Sequence, residues 1–351
     1  MPSTRLEPPT ITGEHRRPTM RDVALQAGVS LKTVSRVVNA EPGVSATLTA
    51  RVRSAIDDLG FRPNAGASAL RRADGKTATV GLLLQDVGNP FSSALQRAVE
   101  DVAVPRGVMV FSASLDGDPQ RERELVQALT ARRADGLIIA PTGTDMSYLE
   151  SELRAGTAVV CVDRIPVNLD VDAVVTTNTS GSAEGVRHLL AGGHRRIAFL
   201  GDRRDLFTAS ERYRGYVQAL AGAGLAADQG IVVHDLADVG MSDGAVTALL
   251  TGPHPPTALF TAQNLVTIGA IRALRRLGLE QQVALVGFDD FPLADLVRPG
   301  VTVVAQDPPA IGRKAAAVLF ARLAGERAPA AVHVVPTALV RRGSGEIPPP
   351  R

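Results

Sequence analysis

Leu31, Ser35 and Asn39 stand four residues apart in "SLKTVSRVVNA", and Lys32 and Arg36 make a second row beside them. On a helix each row lies along one face, so an apolar tip, a hydroxyl, an amide and two cations project together. Groups of this kind hydrogen-bond to base edges and neutralise phosphates. Ser30 can cap such a helix by accepting from the backbone N–H of Thr33. Leu31, Lys32 and Thr33, at its start, are candidates for reading bases; Ser35, Arg36 and Asn39 could read bases or hold phosphates.

Two further helices must position that face. Val23, Ala24 and Ala27 form the inner side of a first helix, and Gly28 permits a sharp turn into the second, whose Val34, Val37 and Val38 lie inward. A third starts near Ser45, buries Val52, Ala55, Ile56 and Leu59, and stops at Gly60, where a left-handed residue is tolerated. This spacing is that of a helix-turn-helix, whose second helix enters the major groove. A small bundle with merely solvated polar rows is the competing reading. The stretch "VALQAGVSLKTVSRVVN" closely resembles the DNA-binding headpiece of the lactose repressor/galactose repressor (LacI/GalR) family, and the resemblance continues through "RPNAGASAL".

The segment "RPNAGASALRRADGK" is too short and too glycine-weakened to be a stable isolated helix, and by composition it reads as a linker. The resemblance implies instead a hinge that becomes helical when two copies pair over a minor groove. Asn64, Ala67 and Leu70 are then DNA contacts, with Leu70 as the apolar wedge that opens a base step. Arg71 and Arg72 can neutralise nearby phosphates.

Charge follows the same division. Residues 1–76 hold 12 Lys/Arg against 7 Asp/Glu, and the remainder 26 against 29, so a basic amino end meets an acidic body. The single cysteine, Cys161, lies in the apolar run "TAVVCVD", which excludes an intramolecular disulfide and suggests a reducing compartment. No apolar run is long enough to span a membrane, and the start lacks a secretory signal. A cytoplasmic protein with no membrane partner is expected. No GxSxG, CxxC or HExxH occurs, so no catalytic residue, metal site or cofactor is assigned. "GAGLAA" at Gly222 reads as a helix end, "DGKT" at Asp74 is not a phosphate loop, and His194 reads as structural.

Beyond Thr79, apolar runs of strand length alternate with amphipathic helices, the pattern of βαβ units in parallel sheets. Two such series imply two lobes, so the fold class is an all-α helix-turn-helix headpiece followed by an α/β two-lobed sensor. The expected boundaries are a disordered arm over 1–17, the headpiece over 18–62, a hinge over 63–76, and a sensor over 77–342. Within the sensor, lobe 1 takes about 77–172 plus 307–334 and lobe 2 about 173–306 plus 335–342; residues 343–351 read as a tail.

The resemblance spans Thr19 to Arg342 and implies that the sensor is periplasmic-binding-protein-like, with its ligand in the cleft at the carboxyl ends of strands. On that basis Asn89 and Phe91 of "NPF" contact the ligand, with Ser92 where a second aromatic is common. Asp163, Arg164, Arg212, Asp289 and Gln306 match pocket positions, and Gln263 and Asn264 replace a more usual Asn-Asp. Such a site suits a sugar or sugar derivative, with a nucleobase as the alternative, although the arginines could also take a phosphate or carboxylate. The resemblance thus implies a homodimeric repressor of sugar catabolic genes binding a pseudo-palindromic double-stranded operator, its affinity set by the small-molecule effector. A solute-binding protein would explain the lobes but not the basic headpiece.

Overall fold

The computed structural model describes residues 17–39, 41–62, 76–143 and 145–350. The expected contacts Asn64, Ala67 and Leu70 lie outside the described residues, as do most of the expected arm and hinge. By its internal contacts the chain divides into two units, Met1–Thr77 and Ala78–Arg351.

In the first unit, caps set the helix limits. Thr19 and Asp22 form a capping box that starts α1 (Met20–Ala27), and Gly28 ends it in the left-handed region at φ 60°. Ser30 caps α2 (Leu31–Val38), and Ser45 caps α3 (Ala46–Leu59), which ends at a left-handed Gly60. Val23, Ala27, Val34, Val52 and Ala55 make a small core, joined by Phe61. Val37, Val38, Ile56 and Leu59 pack against it only partly buried.

The second unit alternates strand and helix throughout. Lobe 1 contains β1 (Thr79–Leu84), α4 (Pro90–Ala103), β2 (Met109–Ser114), α5 (Pro119–Ala131), β3 (Gly136–Ile139), α6 (Glu150–Arg154), β4 (Ala158–Val162) and β5 (Asp172–Thr176). Lobe 2 contains α7 (Asn178–Ala191), β6 (Ile197–Leu200), α8 (Phe207–Gly222), β7 (Val232–Val233), α9 (Val239–Thr251), β8 (Ala258–Thr261), α10 (Asn264–Leu277), β9 (Ala284–Phe288) and β10 (Thr302–Ala305). The chain then returns to lobe 1 for α11 (Pro308–Leu323) and β11 (Val332–Val335), and ends in lobe 2 with β12 (Ala338–Val340).

The two sheets have equivalent strand orders, β11-β5-β4-β3-β1-β2 and β12-β10-β9-β8-β6-β7. They differ at one edge, where β11 runs parallel to β5 but β12 runs antiparallel to β10. Helices cover both faces, which is why β3, β4, β6 and β9 are apolar along their length and β1 and β8 nearly so. Close helix contact depends on glycine at Gly215, where a Cβ would stand 2.2 Å from the Thr179 carbonyl oxygen.

Two expected boundaries are corrected. Strand β5 pairs with β4, so lobe 1 runs through Thr176 rather than ending at about 172. Residues 343–347 are packed rather than a loose tail: Ser344 donates to the Leu285 carbonyl (2.6 Å) and accepts from the Thr302 N–H (2.9 Å). His194 contacts the Ile347 carbonyl through Nε2 (2.8 Å) and Thr257 Oγ1 through Nδ1 (2.9 Å). Sequence polarity there marks hydrogen-bonding groups that lobe 2 uses.

Among the described residues no helix is long and apolar enough to cross a membrane, and no cluster of His, Cys, Asp or Glu could hold a metal. Cys161 is buried in β4, which pushes its thiol well above the usual range.

Candidate functional sites: a helix face and an interlobe cleft

Ser30 Oγ accepts from the Thr33 N–H (3.1 Å) and lies 2.9 Å from Thr33 Oγ1, fixing the first turn of α2. Arg51 of α3 donates to the Ala27 carbonyl (2.5 Å) and braces the α1–α2 turn. On the outer side, Leu31 is 45% exposed and Lys32 is exposed. An apolar side chain held outward beside a cation on an α2 start can meet a thymine methyl and a phosphate at once. Thr33, Ser35 and Arg36 are half-buried; Asn39 is exposed and donates to Ser35 Oγ (3.3 Å). The structure therefore presents the expected residues on one short helix, with the guanidinium of Arg36 only loosely near Glu41 (3.9 Å).

In the second unit a cleft of about 250 Å³ opens between the lobes at the carboxyl ends of the strands. That is just below the range of about 300–1,000 Å³ usual for ligand sites, and its place beside β1 and β3 is where the strand order reverses. Two aspartates mark corresponding positions. Asp163 follows β4 at φ 66° and its N–H donates to Val174 O; Asp289 follows β9 at φ 72° and its N–H donates to Val304 O. Aspartate tolerates this left-handed backbone better than most residues do.

Each aspartate faces an arginine. Arg164 Nε lies 3.4 Å from Asp163 Oδ2, while its other nitrogens donate to the Pro141 carbonyl (2.7 Å) and to Gln85. Arg212 Nη1 lies 3.4 Å from Asp289 Oδ2 and 2.8 Å from the Ala262 carbonyl, and Nε donates to Asn178 Oδ1 (2.8 Å). The Arg212 guanidinium also lies over the Phe288 ring, 4.0 Å from its centroid. Gln306 donates to the second oxygen of Asp289 (2.5 Å). Burial pushes the Asp163 carboxyl above its ordinary range, partly offset by Arg164 and Arg212, and pulls Arg164 below its own.

Asn89, Phe91, Asp163, Arg164, Arg212, Gln263, Asp289 and Gln306 all line the cleft. Asn264 does not. It is 1% exposed and exchanges two hydrogen bonds with Asn89 of the opposite lobe, Nδ2 to Oδ1 at 2.9 Å and 3.1 Å in the two directions. Its place in the first turn of α10 points its amide at the facing lobe, so it clasps the lobes together. The pair also occupies the Asn89 amide that was expected to contact the ligand. A second tie crosses the cleft, from Arg203 Nη1 to the Gly117 carbonyl (2.8 Å).

Gln85, Asp86, Asp116, Asp202 and Arg203 also line the cleft and were not among the expected residues. Their signal was available: Gln85 and Asp86 follow "VGLLL", Asp116 follows "VFSASL" and Asp202 follows "IAFLG". These are polar residues directly after apolar runs.

A helix-turn-helix with an outward polar face and a two-lobed α/β binding fold with a charged cleft define a DNA-binding transcriptional regulator that carries a ligand-sensing domain. Residues 19–64 match the bacterial regulatory proteins of the lacI family, and residues 186–345 match the periplasmic binding protein-like domain. The ribose operon repressor of Escherichia coli (strain K12) is 34% identical over 87% of this chain and 93% of its own. Among solved structures, a complex of the transcriptional regulator CelR with cellobiose is 30% identical with a TM-score of 0.68, covering 93% of this chain and 100% of that one. The lac repressor dimer bound to operator and the anti-inducer ONPF is 25% identical with a TM-score of 0.80, covering 94% and 99%. The chain belongs to the LacI family of transcriptional regulators.

Proposed function

We propose that this protein is a homodimeric, cytoplasmic repressor of sugar-utilisation genes, without catalytic activity, whose cleft binds a sugar or sugar derivative as effector. In this reading Leu31, Lys32 and Thr33 read bases, Ser30, Ser35, Arg36 and Asn39 complete the α2 contact, and Asn64, Ala67 and Leu70 contact the minor groove of a pseudo-palindromic operator. Asp163, Arg164, Arg212, Gln263, Asp289 and Gln306 supply directed hydrogen bonds to hydroxyl groups, and Phe91 offers an apolar ring to a sugar face.

The observation that carries this reading is the cleft itself. Two aspartate–arginine pairs, one from each lobe, face a space of small-ligand size, so a ligand that bridges them favours one angle between the lobes. The protein named as ribose operon repressor and the regulator solved with cellobiose support the sugar class, and the lac repressor dimer on operator supports the DNA arm.

Operator fragments selected from genomic DNA at moderate salt are titrated with the protein while sugars are screened for release or tightening. The expected response is a change in DNA affinity of roughly 5- to 150-fold. Asp289→Asn should keep operator affinity and cut that response to below about twofold. A variant that responds normally removes the cleft from the mechanism, and a protein with no preference among fragments overturns the DNA arm.

A further inference from the structure

Carboxylates outnumber guanidiniums on the cleft wall, five to three. The ion pairs do not account for all of them. Asp163 and Asp289 are matched by Arg164 and Arg212, and Asp116 lies 3.5 Å from Arg121. Arg203 is already held by Asp205 through Nε (3.1 Å) and Nη2 (2.6 Å), and its remaining nitrogen is tied to Gly117. Asp86 is exposed, so water compensates it.

Asp202 is left over. It follows β6 and lines the cleft, and its hydrogen bond is from the neighbouring Arg203 N–H to Oδ1 (2.7 Å). Among the described residues no cation lies within ion-pair distance of it. Burial is the largest influence on its carboxyl and pushes it above the ordinary range, opposed by the Arg203 N–H and by the more distant guanidiniums of Arg164, Arg212 and Arg203, none of which is close enough to pair with it. An anionic ligand would add to an existing negative excess. A protonated amine would instead bring the missing counter-charge and up to three N–H donors.

We propose that Asp202 selects, within the effector site assigned above, a polyhydroxylated ligand bearing a protonated amine, an amino sugar whose ammonium sits on the Asp202 carboxylate. The proposal rests on the reading of the cleft as the effector site. A phosphate or carboxylate sugar is disfavoured by the same charge balance, and a neutral sugar brings Asp202 no close counter-charge.

The test uses the full-length protein and matched probes at about pH 7, where a sugar ammonium is largely charged. Glucose against glucosamine, galactose against galactosamine, and glucose 6-phosphate are compared by calorimetric titration and by the shift in melting midpoint. The amine of at least one pair should bind about tenfold tighter than its neutral partner, with the phosphate weakest. Asp202→Asn, isosteric and checked for folding by circular dichroism, should erase that preference while neutral binding changes by less than about threefold. A neutral or phosphorylated probe that binds as well as the amine overturns the amine assignment and leaves the sugar-effector reading standing. A preference that survives Asp202→Asn overturns the role of Asp202. If no probe of any charge binds, both readings fall.

Discussion

Lobe 1 closes its sheet with a parallel edge strand and fills its core with aliphatic side chains, whereas lobe 2 closes with an antiparallel strand and gathers its rings inside. Phe199, Tyr216, Phe260 and Phe288 are all fully buried in lobe 2, while Phe91, Tyr148 and Phe320 of lobe 1 are only partly so. The contrast extends to the cleft. Arg164 of lobe 1 and Arg212 of lobe 2 are each held by a backbone carbonyl and a side-chain amide, but Arg212 also lies on the Phe288 ring, the surface of an aromatic core. A ring buries much area with few rotatable bonds, so the aromatic cluster should carry more of the packing energy in lobe 2 than any single side chain does in lobe 1.

The largest break in this comparison should come from Phe199→Ala, which removes the ring at the centre of contacts with Tyr213, Tyr216, His234 and Phe260. A loss of roughly 3–5 kcal/mol in urea unfolding is expected. Leu82→Ala, at an equally buried site in lobe 1, should cost about 3 kcal/mol, near the lower part of its range. A larger loss at Leu82 would reverse the ranking of the lobes.

A smaller effect sharpens the relation between the lobes rather than either core. Asn264→Ala removes both hydrogen bonds to Asn89 and should cost the closed arrangement about 1–3 kcal/mol. Ligand affinity should then fall by a similar factor for every ligand, whatever its chemistry, with operator binding measured in parallel. A loss confined to one ligand would make Asn264 a contact after all.

The smallest effect is acid sensitivity in lobe 2. His194 is fully buried, and burial lowers its pKa below the ordinary 6.5, opposed in part by the Ile347 carbonyl. The folded state therefore favours the neutral ring. Its contribution is intact above about pH 6.5 and is lost as pH falls through the unfolded value toward the lower folded one. His194→Gln should flatten that part of the melting midpoint's pH profile.

The headpiece was legible because its signals are local. Ser30, Ser45, Gly28 and Gly60 act on neighbours within one turn, and the structure uses each as a cap. The strands were legible because sheets covered on both faces need continuous apolar runs. The Asn89–Asn264 clasp was not, since its partners are 175 residues apart and only the fold brings them together. Asp202 escaped for a different reason. It obeys the same strand-end rule as Asp163 and Asp289, but it lies outside the motifs that the family resemblance matched. The packed carboxyl-terminal residues escaped because Ser344 and Glu346 look like solvent-facing polar groups until Thr302 and His188 are placed beside them.

The chain passes between the lobes three times: after β5, after β10 and between β11 and β12. Two of these passages are joined, since Thr177 Oγ1 accepts from the Thr337 N–H (2.9 Å) and lies 2.8 Å from Thr337 Oγ1. Bodies linked by a single thread can tumble, whereas three links, two of them tied to each other, restrict the ways in which one lobe can turn against the other. Whatever occupies the space between them can therefore act through the angle at which the lobes meet, and a mutation that frays Thr177 or Thr337 would blur the message without touching its sender.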